Sequence, residues 1–159
     1  MTAKVKDRPK ARTDYGADLY TWAQEQIALL KAGRLDEIDA ENIAEELRDV
    51  GGSEYAQLES ALRVLVMHML KWDQQPEFRT RSWVYTIAEQ RSRYAKVLKK
   101  NPGLKQHLAE MLCDAYPSAR RWAADETHLH ESEFPKTCPY DWDDILSRPF
   151  DADSAPAAR

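Results

Sequence analysis

A group of polar and cationic side chains interrupts the most apolar part of the chain. Residues 65–83 read LVMHMLKWDQQPEFRTRSW, an apolar run that ends in basic residues and two tryptophans. Lysine and arginine bind phosphate and carboxylate groups, and an indole ring can stack on a cation or a nucleotide base. This stretch is therefore a candidate binding corner for an anionic group or a partner. Its candidate residues are Lys71, Trp72, Gln75, Arg79, Arg81, Ser82 and Trp83.

Arg79 and Arg81 lie just before a helix that is predicted to begin at a Ser82 cap. The free amides of a helix N-terminus already favour negative charge, so two cations beside it call for an anion. That anion is either a carboxylate from the acidic residues 36–59 or an external phosphate-like group. The internal carboxylate is the preferred interpretation. The pair Trp72 and Trp83 is expected to pack together across the loop.

Charge is strongly segregated along the chain, although the net charge is only −4. Residues 36–59 carry nine acidic side chains against one arginine, and residues 71–100 carry eight basic against three acidic ones. Blocks of opposite sign can attract each other, face different partners, or simply form two solvated helix faces. The acidic overall balance, with a pI near 5.6, does not favour nucleic acid as a partner, but an association with nucleic acid stays open as an alternative.

Three carboxylates in the acidic block share one helix face, namely Glu45, Glu46 and Asp49. Such a set can hold magnesium in helical nucleotide pyrophosphatases, so a metal-assisted phosphohydrolase that uses these three residues is an alternative function. Those enzymes need a second acidic pair further on, and no Glu-x-x-Asp follows Glu59. A solvated face, or ion pairs between Glu45 or Glu46 and arginines, is the preferred interpretation.

Two buried ionisable side chains are expected on the predicted helices. Arg91 interrupts an apolar stripe and predicts a buried acidic partner, for which Glu46 and Glu126 are the candidates. His68 lies on the most apolar helix and is interpreted as a hydrogen-bonded core residue. No nucleophile is placed to use it as a base. The sequence contains no GxxxxGK[ST], GxGxxG, GxSxG or HExxH motif, and we predict no catalytic residue, no metal site and no cofactor.

The elements that position these residues are predicted to be helices throughout. Apolar residues recur at helical spacing, and no convincing alternating strand pattern is present. We predict an all-α, single-domain bundle of about six to seven helices around a buried central helix at about residues 53–73. Stop signals at Gly33, Gly51-Gly52, Pro76, Asn101-Pro102 and Pro117 separate the helices.

The domain is predicted to cover residues 14–148, between a disordered basic tail at 1–13 and a disordered tail at 149–159. No run approaches the ~20 apolar residues of a membrane span, so no membrane association is expected. Two distant cysteines, Cys113 and Cys138, favour free thiols and a cytoplasmic location.

Several ordered motifs resemble one bacterial family. They are Asp18-x-x-x-Trp22, Asp39-x-x-Asn42-x-x-Glu45-Glu46, His68-x-x-Lys71-Trp72-x-x-Gln75-Pro76, Arg79-x-Arg81-Ser82-Trp83-x-x-Thr86-Ile87, Glu126-Thr127 and Phe134-Pro135-x-x-Cys138-Pro139. The family is catalogued as domain of unknown function, number twenty-nine, and the resemblance covers about residues 14–146. It implies an all-helical fold and a small bacterial protein, of a kind common in cyanobacteria and proteobacteria. It implies no activity, cofactor or catalytic residue.

The residues therefore favour an uncharacterised, non-enzymatic binding or interaction module. Its polar corner, from Lys71 to Trp83, is expected to engage an anionic ligand or an unknown protein partner.

Overall fold

The computed structural model describes residues 12–151, and this part of the chain is helical without any β-strand. The α-helices are α1 (Leu19–Lys31), α2 (Ala40–Gln74), α3 (Arg81–Lys100), α4 (Leu108–Thr127) and α5 (Trp142–Ser147). Three short 3₁₀ helices occupy Pro76–Phe78, Pro102–His107 and Glu131–Glu133. The predicted all-α class is confirmed. The predicted number of helices is wrong, because the described residues form five α-helices rather than six or seven.

Two predicted breaks are not breaks. The helix α2 continues through Gly51 and Gly52, although each glycine costs a helix interior about 1 kcal/mol relative to alanine. The space where a side chain would stand is open at both glycines, and tertiary packing of the second half of α2 outweighs the cost. The helix α4 continues through Pro117, which forfeits one backbone hydrogen bond. By contrast, Gly33 follows the end of α1 with φ of 71°, the left-handed geometry that glycine favours.

The caps of the helices follow side-chain chemistry, with one correction. Asp18 and Asp39 accept backbone N–H bonds at the starts of α1 and α2. Thr80, and not Ser82 as predicted, caps α3, since its hydroxyl accepts from the Trp83 amide. Both residues can cap a helix, and the sequence alone did not separate positions two residues apart.

The chain divides into two compact units, residues 1–50 (unit 1) and residues 51–159 (unit 2). The predicted single helical domain over residues 14–148 stays a prediction. Of the predicted tails, residues 1–11 and 152–159 lie outside the described residues. Phe150, which falls in the predicted C-terminal tail, packs against the core of unit 2.

Unit 1 contains α1 and the first three turns of α2, and polar contacts dominate its interior. Only Trp22 and Gln26 are buried among its described residues. The Trp22 indole N–H donates to Asp39 Oδ2 at 3.2 Å, and Gln26 Oε1 accepts from the Asp39 amide at 2.8 Å. The Tyr15 ring meets the Trp22 ring edge-on, with 4.9 Å between centroids. Asp39 therefore joins α1 to the start of α2.

Unit 2 holds the hydrophobic core. The second half of α2 is largely buried from Leu58 to Trp72, and α3, α4 and α5 pack their apolar faces into the same cluster. The predicted central helix at about residues 53–73 is part of this longer helix, which begins at Ala40. The fully buried side chains include Leu58, Leu62, Leu65, Val66, Met69, Leu70, Ile87, Met111, Phe134 and Ile145.

No helix in the described part of the chain combines the length and the apolar character that crossing a bilayer requires.

Candidate functional site: the α2–α3 corner

The predicted binding residues lie in the connection between α2 and α3. We call residues 71–83 the corner. Lys71 and Trp72 occupy the last turn of α2, and Gln75 follows it. The helix α2 ends before Pro76 because proline cannot continue its hydrogen-bond ladder. The 3₁₀ helix Pro76–Phe78 follows. The chain then enters α3 at Arg81. The corner belongs to unit 2 throughout.

Lys71 is buried, with only 7% of its side chain exposed. Its ammonium group pairs with Glu126 Oε2 at 2.5 Å and lies 4.5 Å from the centroid of the Trp83 ring. A buried cation is tolerated only when it is paired in this way, because removing it from water is costly. The last turn of α4 is therefore fastened to the last turn of α2, and the indole of α3 covers the pair.

A second contact fastens the same two helix ends. The Gln75 amide donates to the Thr127 carbonyl at 3.0 Å. Thr127, itself buried, donates its hydroxyl to the Ala123 carbonyl at 2.6 Å. After it, His128 takes a left-handed conformation and ends α4. Together with the ion pair of Lys71, these bonds make the inner side of the corner rigid.

His68 is a core residue, as expected. Its Nδ1 lies 2.9 Å from the Val64 carbonyl one turn earlier on α2. Burial lowers the pKa of His68, and the nearby Lys71 cation acts in the same direction. The imidazole is thus held in its neutral form at neutral pH.

Arg79 has a different partner from the one predicted. Its Nε donates to the Trp72 carbonyl at 3.0 Å, and its guanidinium stacks 4.7 Å from the Trp72 ring centroid. The Trp72 carbonyl is one of the groups left unsatisfied at the end of a helix, where the helix dipole is negative. The prediction of a carboxylate from residues 36–59 is therefore wrong for Arg79, because the C-terminus of α2 supplies the negative end.

Arg91 follows the same rule. It donates to the carbonyls of Ile145 (2.8 Å), Arg148 (2.8 Å) and Asp144 (3.0 Å), which cluster at the end of α5. The predicted acidic partner, Glu46 or Glu126, is wrong. Three carbonyls satisfy the half-buried guanidinium, and these bonds hold α5 against α3.

The two tryptophans of the corner do not form the predicted pair. Trp83 covers Lys71, whereas Trp72 receives Arg79 on its face and meets Phe150 edge-on at 5.4 Å between ring centroids. The contact between Trp72 and Phe150 was not predicted. Phe150 lies among polar residues near the C-terminus, and no apolar periodicity there indicates a buried position.

Asp73 was also missed, and it ties the C-terminal segment to the corner. Arg148 donates to both of its oxygens, at 2.6 and 2.9 Å, and the Tyr140 hydroxyl donates at 2.8 Å. Burial alone would raise the pKa of Asp73, but these bonds outweigh it and hold the pKa below its usual value. The Asp73 carboxylate in turn raises the pKa of Arg148.

The outer side of the corner presents aromatic and charged groups to solvent. Phe78 is 59% exposed and Tyr85 is 66% exposed. Arg81 and Ser82 are exposed, and Arg81 lies one helical turn before Tyr85 on α3. Arg79 is half-buried between this surface and Trp72. The outer side therefore carries one exposed arginine and two exposed aromatic rings, in addition to the half-buried Arg79.

The acidic residues of the alternative function lie apart from the corner, in unit 1. Glu46 accepts a hydrogen bond from the Tyr15 hydroxyl at 2.7 Å, and this bond raises the pKa of Tyr15 to about 12. Glu45 and Asp49 are exposed. Within residues 12–151, no group of three or more His, Cys, Asp or Glu side chains has an arrangement that could hold a metal ion.

The sequence matches the family described as "Domain of unknown function DUF29" over residues 15–151. The chain belongs to the DUF29 family. No curated protein and no solved structure gives a significant match.

The resemblance noted in the sequence is thereby confirmed, and the structure shows what its motifs do. Of the motif residues, Trp22, Asp39 and Asn42 meet in unit 1, where Asp39 accepts from the indole of Trp22 and the side-chain amide of Asn42. Asp18 caps α1 instead, by accepting from Thr21. The motif residues His68, Lys71, Trp72, Gln75, Arg79, Trp83, Glu126 and Thr127 meet at the corner of unit 2.

Proposed function

We propose that this DUF29 protein is a non-enzymatic binding module whose corner engages acidic groups of a partner protein. The observation that carries the proposal is the exposed set Phe78, Arg81 and Tyr85 beside Arg79, on a base fixed by the Lys71–Glu126 pair. Aromatic residues and arginine are the side chains enriched in protein interfaces and their hot spots. The proposal places the interaction in a bacterial cytoplasm, in keeping with two free thiols.

Rigidity supports this proposal because it lowers the entropic cost of binding. Arg79 is already held by the Trp72 ring and carbonyl, so less rotamer freedom is lost when an anion arrives. A guanidinium presents its N–H groups in a planar fork that matches a carboxylate or phosphate. Glu77 is exposed in the same turn and would disfavour a partner with the wrong register.

The test compares two pairs of exposed or half-exposed cations on the same protein. A fluorescently labelled peptide of glutamate and phosphoserine is titrated against the wild-type chain, Arg79→Ala/Arg81→Ala, and the control Arg93→Ala/Lys96→Ala. Both variants lose two positive charges, but Arg93 and Lys96 lie exposed further along α3. We expect the corner variant alone to weaken binding, by about tenfold.

An equal loss in both variants would mean that general charge attraction explains the binding, and the proposal would fail. Tighter binding of a single-stranded oligonucleotide, lost in the corner variant alone, would instead support the nucleic-acid alternative.

A further inference from the structure

Unit 1 leaves most of its large apolar side chains exposed. Ten large hydrophobic side chains are exposed among residues 12–151, and seven of them belong to unit 1. The seven are Leu19, Tyr20, Ile27, Leu30, Leu35, Leu47 and Val50. Single exposed apolar residues are ordinary, whereas groups of them mark interaction sites. This surface is separate from the corner and is not used by the proposed function.

The exposed side chains of α1 form one continuous arc. At about 100° per residue, Leu19, Leu30, Ile27 and Tyr20 fall within roughly 100° of each other around the helix axis. The arc adjoins the side that buries Trp22. A surface helix normally buries an apolar arc of this width, so α1 carries a second apolar face that the described residues of unit 1 leave uncovered.

The first turns of α2 add a shorter apolar stripe. Leu47 and Val50 are exposed and lie one turn apart, and the half-buried Ile43 stands one turn before Leu47. These positions have the spacing through which one helix receives another. We call the arc of α1 and this stripe together the apolar face of unit 1.

Charge decides which partner fits this face. Residues 12–50 contain ten carboxylates and four basic side chains. Glu41, Glu45 and Asp49 are exposed on successive turns of α2, on the same helix as the apolar stripe. A second copy of the chain would bring the same excess of negative charge and be repelled, whereas lysine and arginine on a partner would be attracted.

We propose that the apolar face of unit 1 binds an amphipathic helix of a partner protein, with leucine-like residues on its inner face and lysine or arginine along its edges. The helical form follows from the spacing of the exposed residues, because an apolar helix face receives anchors at i, i+3, i+4 and i+7. An extended peptide would need a free strand edge, and the described residues contain no strand.

The experiment uses the full chain and a labelled 18-residue Leu/Lys peptide with leucine at helical spacing. A scrambled peptide of the same composition and a Leu/Glu peptide of the same pattern serve as ligand controls. We expect the Leu/Lys peptide to bind and the scrambled peptide not to bind. Any binding of the Leu/Glu peptide to the corner should be unaffected by substitutions in unit 1. The variant Ile27→Gln/Leu30→Gln should weaken binding about tenfold. The control Trp122→Gln, which removes an exposed ring of unit 2 outside the corner, should leave binding unchanged.

A second variant guards against loss of folding in the first. Glu41→Gln/Glu45→Gln changes only exposed groups and should weaken the same peptide at low salt, with the difference shrinking at high salt. Equal binding of the scrambled peptide, or an unchanged affinity in both unit 1 variants, overturns the proposal.

Two separate measurements test the other possible occupants, which are a second copy of the chain and the chain's own N-terminal segment. Wild-type dimerisation in sedimentation equilibrium that Ile27→Gln/Leu30→Gln abolishes would assign the face to a second copy and overturn the proposal. Tighter peptide binding in Lys4→Glu/Lys6→Glu/Lys10→Glu, but not in the control Arg93→Glu/Lys96→Glu/Lys99→Glu with the same change of charge, would assign it to the chain's own basic N-terminal segment, with the same consequence. The peptide assay is independent of the corner, so its failure leaves the proposed function standing.

Discussion

The helix α2 carries leucines in both units, and their environments are opposite. Leu47 in unit 1 is 66% exposed, whereas Leu58, Leu62 and Leu65 in unit 2 are 0% exposed. Unit 2 is stabilised by apolar burial, which scales with the area removed from water. Residues 12–50 of unit 1 include only two buried side chains, and Asp39 joins α1 to the start of α2 instead. One continuous helix thus serves two kinds of packing.

The difference in packing indicates which kind of binding each unit can support. A hydrophobic core with rigid polar contacts, as in unit 2, can hold a preorganised binding surface at low entropic cost. A unit with an exposed apolar face gains stability when a partner covers that face. We therefore expect the corner to bind with little structural change, and unit 1 to become more ordered on binding.

The largest expected effect compares Leu65→Ala with Leu47→Ala. Leu65→Ala removes a fully buried side chain and should cost about 2–5 kcal/mol of unfolding free energy, through lost transfer energy and a cavity. Leu47→Ala changes a side chain that water already reaches and should stay within about 0.5 kcal/mol. Urea denaturation followed by circular dichroism measures both. Similar losses of unfolding free energy would show that Leu47 is covered in solution, and would contradict the difference in burial between the two units.

The second prediction concerns the buried cation of the corner. Glu126→Gln leaves the Lys71 ammonium buried without its carboxylate, and should cost roughly 1–3 kcal/mol, discounted because Glu126 is itself half-exposed. Lys71→Met should cost less, because the half-exposed carboxylate that remains can be solvated and methionine fills a similar volume. The same urea titrations give both values. A larger loss in Lys71→Met than in Glu126→Gln would contradict the assignment of Lys71 as the costly partner.

Periodicity in the sequence was sufficient to predict a helical fold. It was not sufficient to predict the partners of arginines that bind backbone carbonyls. The helical class follows from apolar spacing, and the end of α3 at Lys100 follows from the stop signal Asn101-Pro102. Arg79 and Arg91 were both expected to need carboxylates, yet both bind carbonyls at the ends of helices. Such a carbonyl carries partial negative charge but leaves no signature in the residue types, so its position depends on tertiary structure.

Glycine as a helix-stop signal is also insufficient on its own to predict where a helix ends. Gly33 follows the end of α1 with a positive φ, whereas Gly51 and Gly52 continue α2. The buried part of α2 begins at Leu58, about two turns after the pair, and tertiary burial there outweighs the weak helix propensity of two glycines.

The smallest expected effect tests the polar contact that organises unit 1. The hydrogen bond from the Asn42 side chain, against an opposing effect of burial, holds the pKa of Asp39 below its usual value. Since the folded-state pKa is depressed, the carboxylate stabilises unit 1 above the unfolded pKa of about 3.9, and this contribution is lost as pH falls through the folded value. The indole N–H of Trp22 reports this change directly because it donates to Asp39.

An acid titration followed by the Trp22 indole resonance in NMR, assigned with Trp22→Phe, measures it. The resonance should move with a midpoint below 3.9, and Asp39→Asn should remove the movement. Glu37→Gln is the matched control: Glu37 also has a pKa below its usual value, but its main hydrogen bond comes from Arg34 rather than from an indole. The control should keep the Trp22 titration. A midpoint above 3.9, or the loss of the titration in Glu37→Gln, would mean that general charge in the acidic unit, and not the bond from Trp22 to Asp39, sets the environment of this indole.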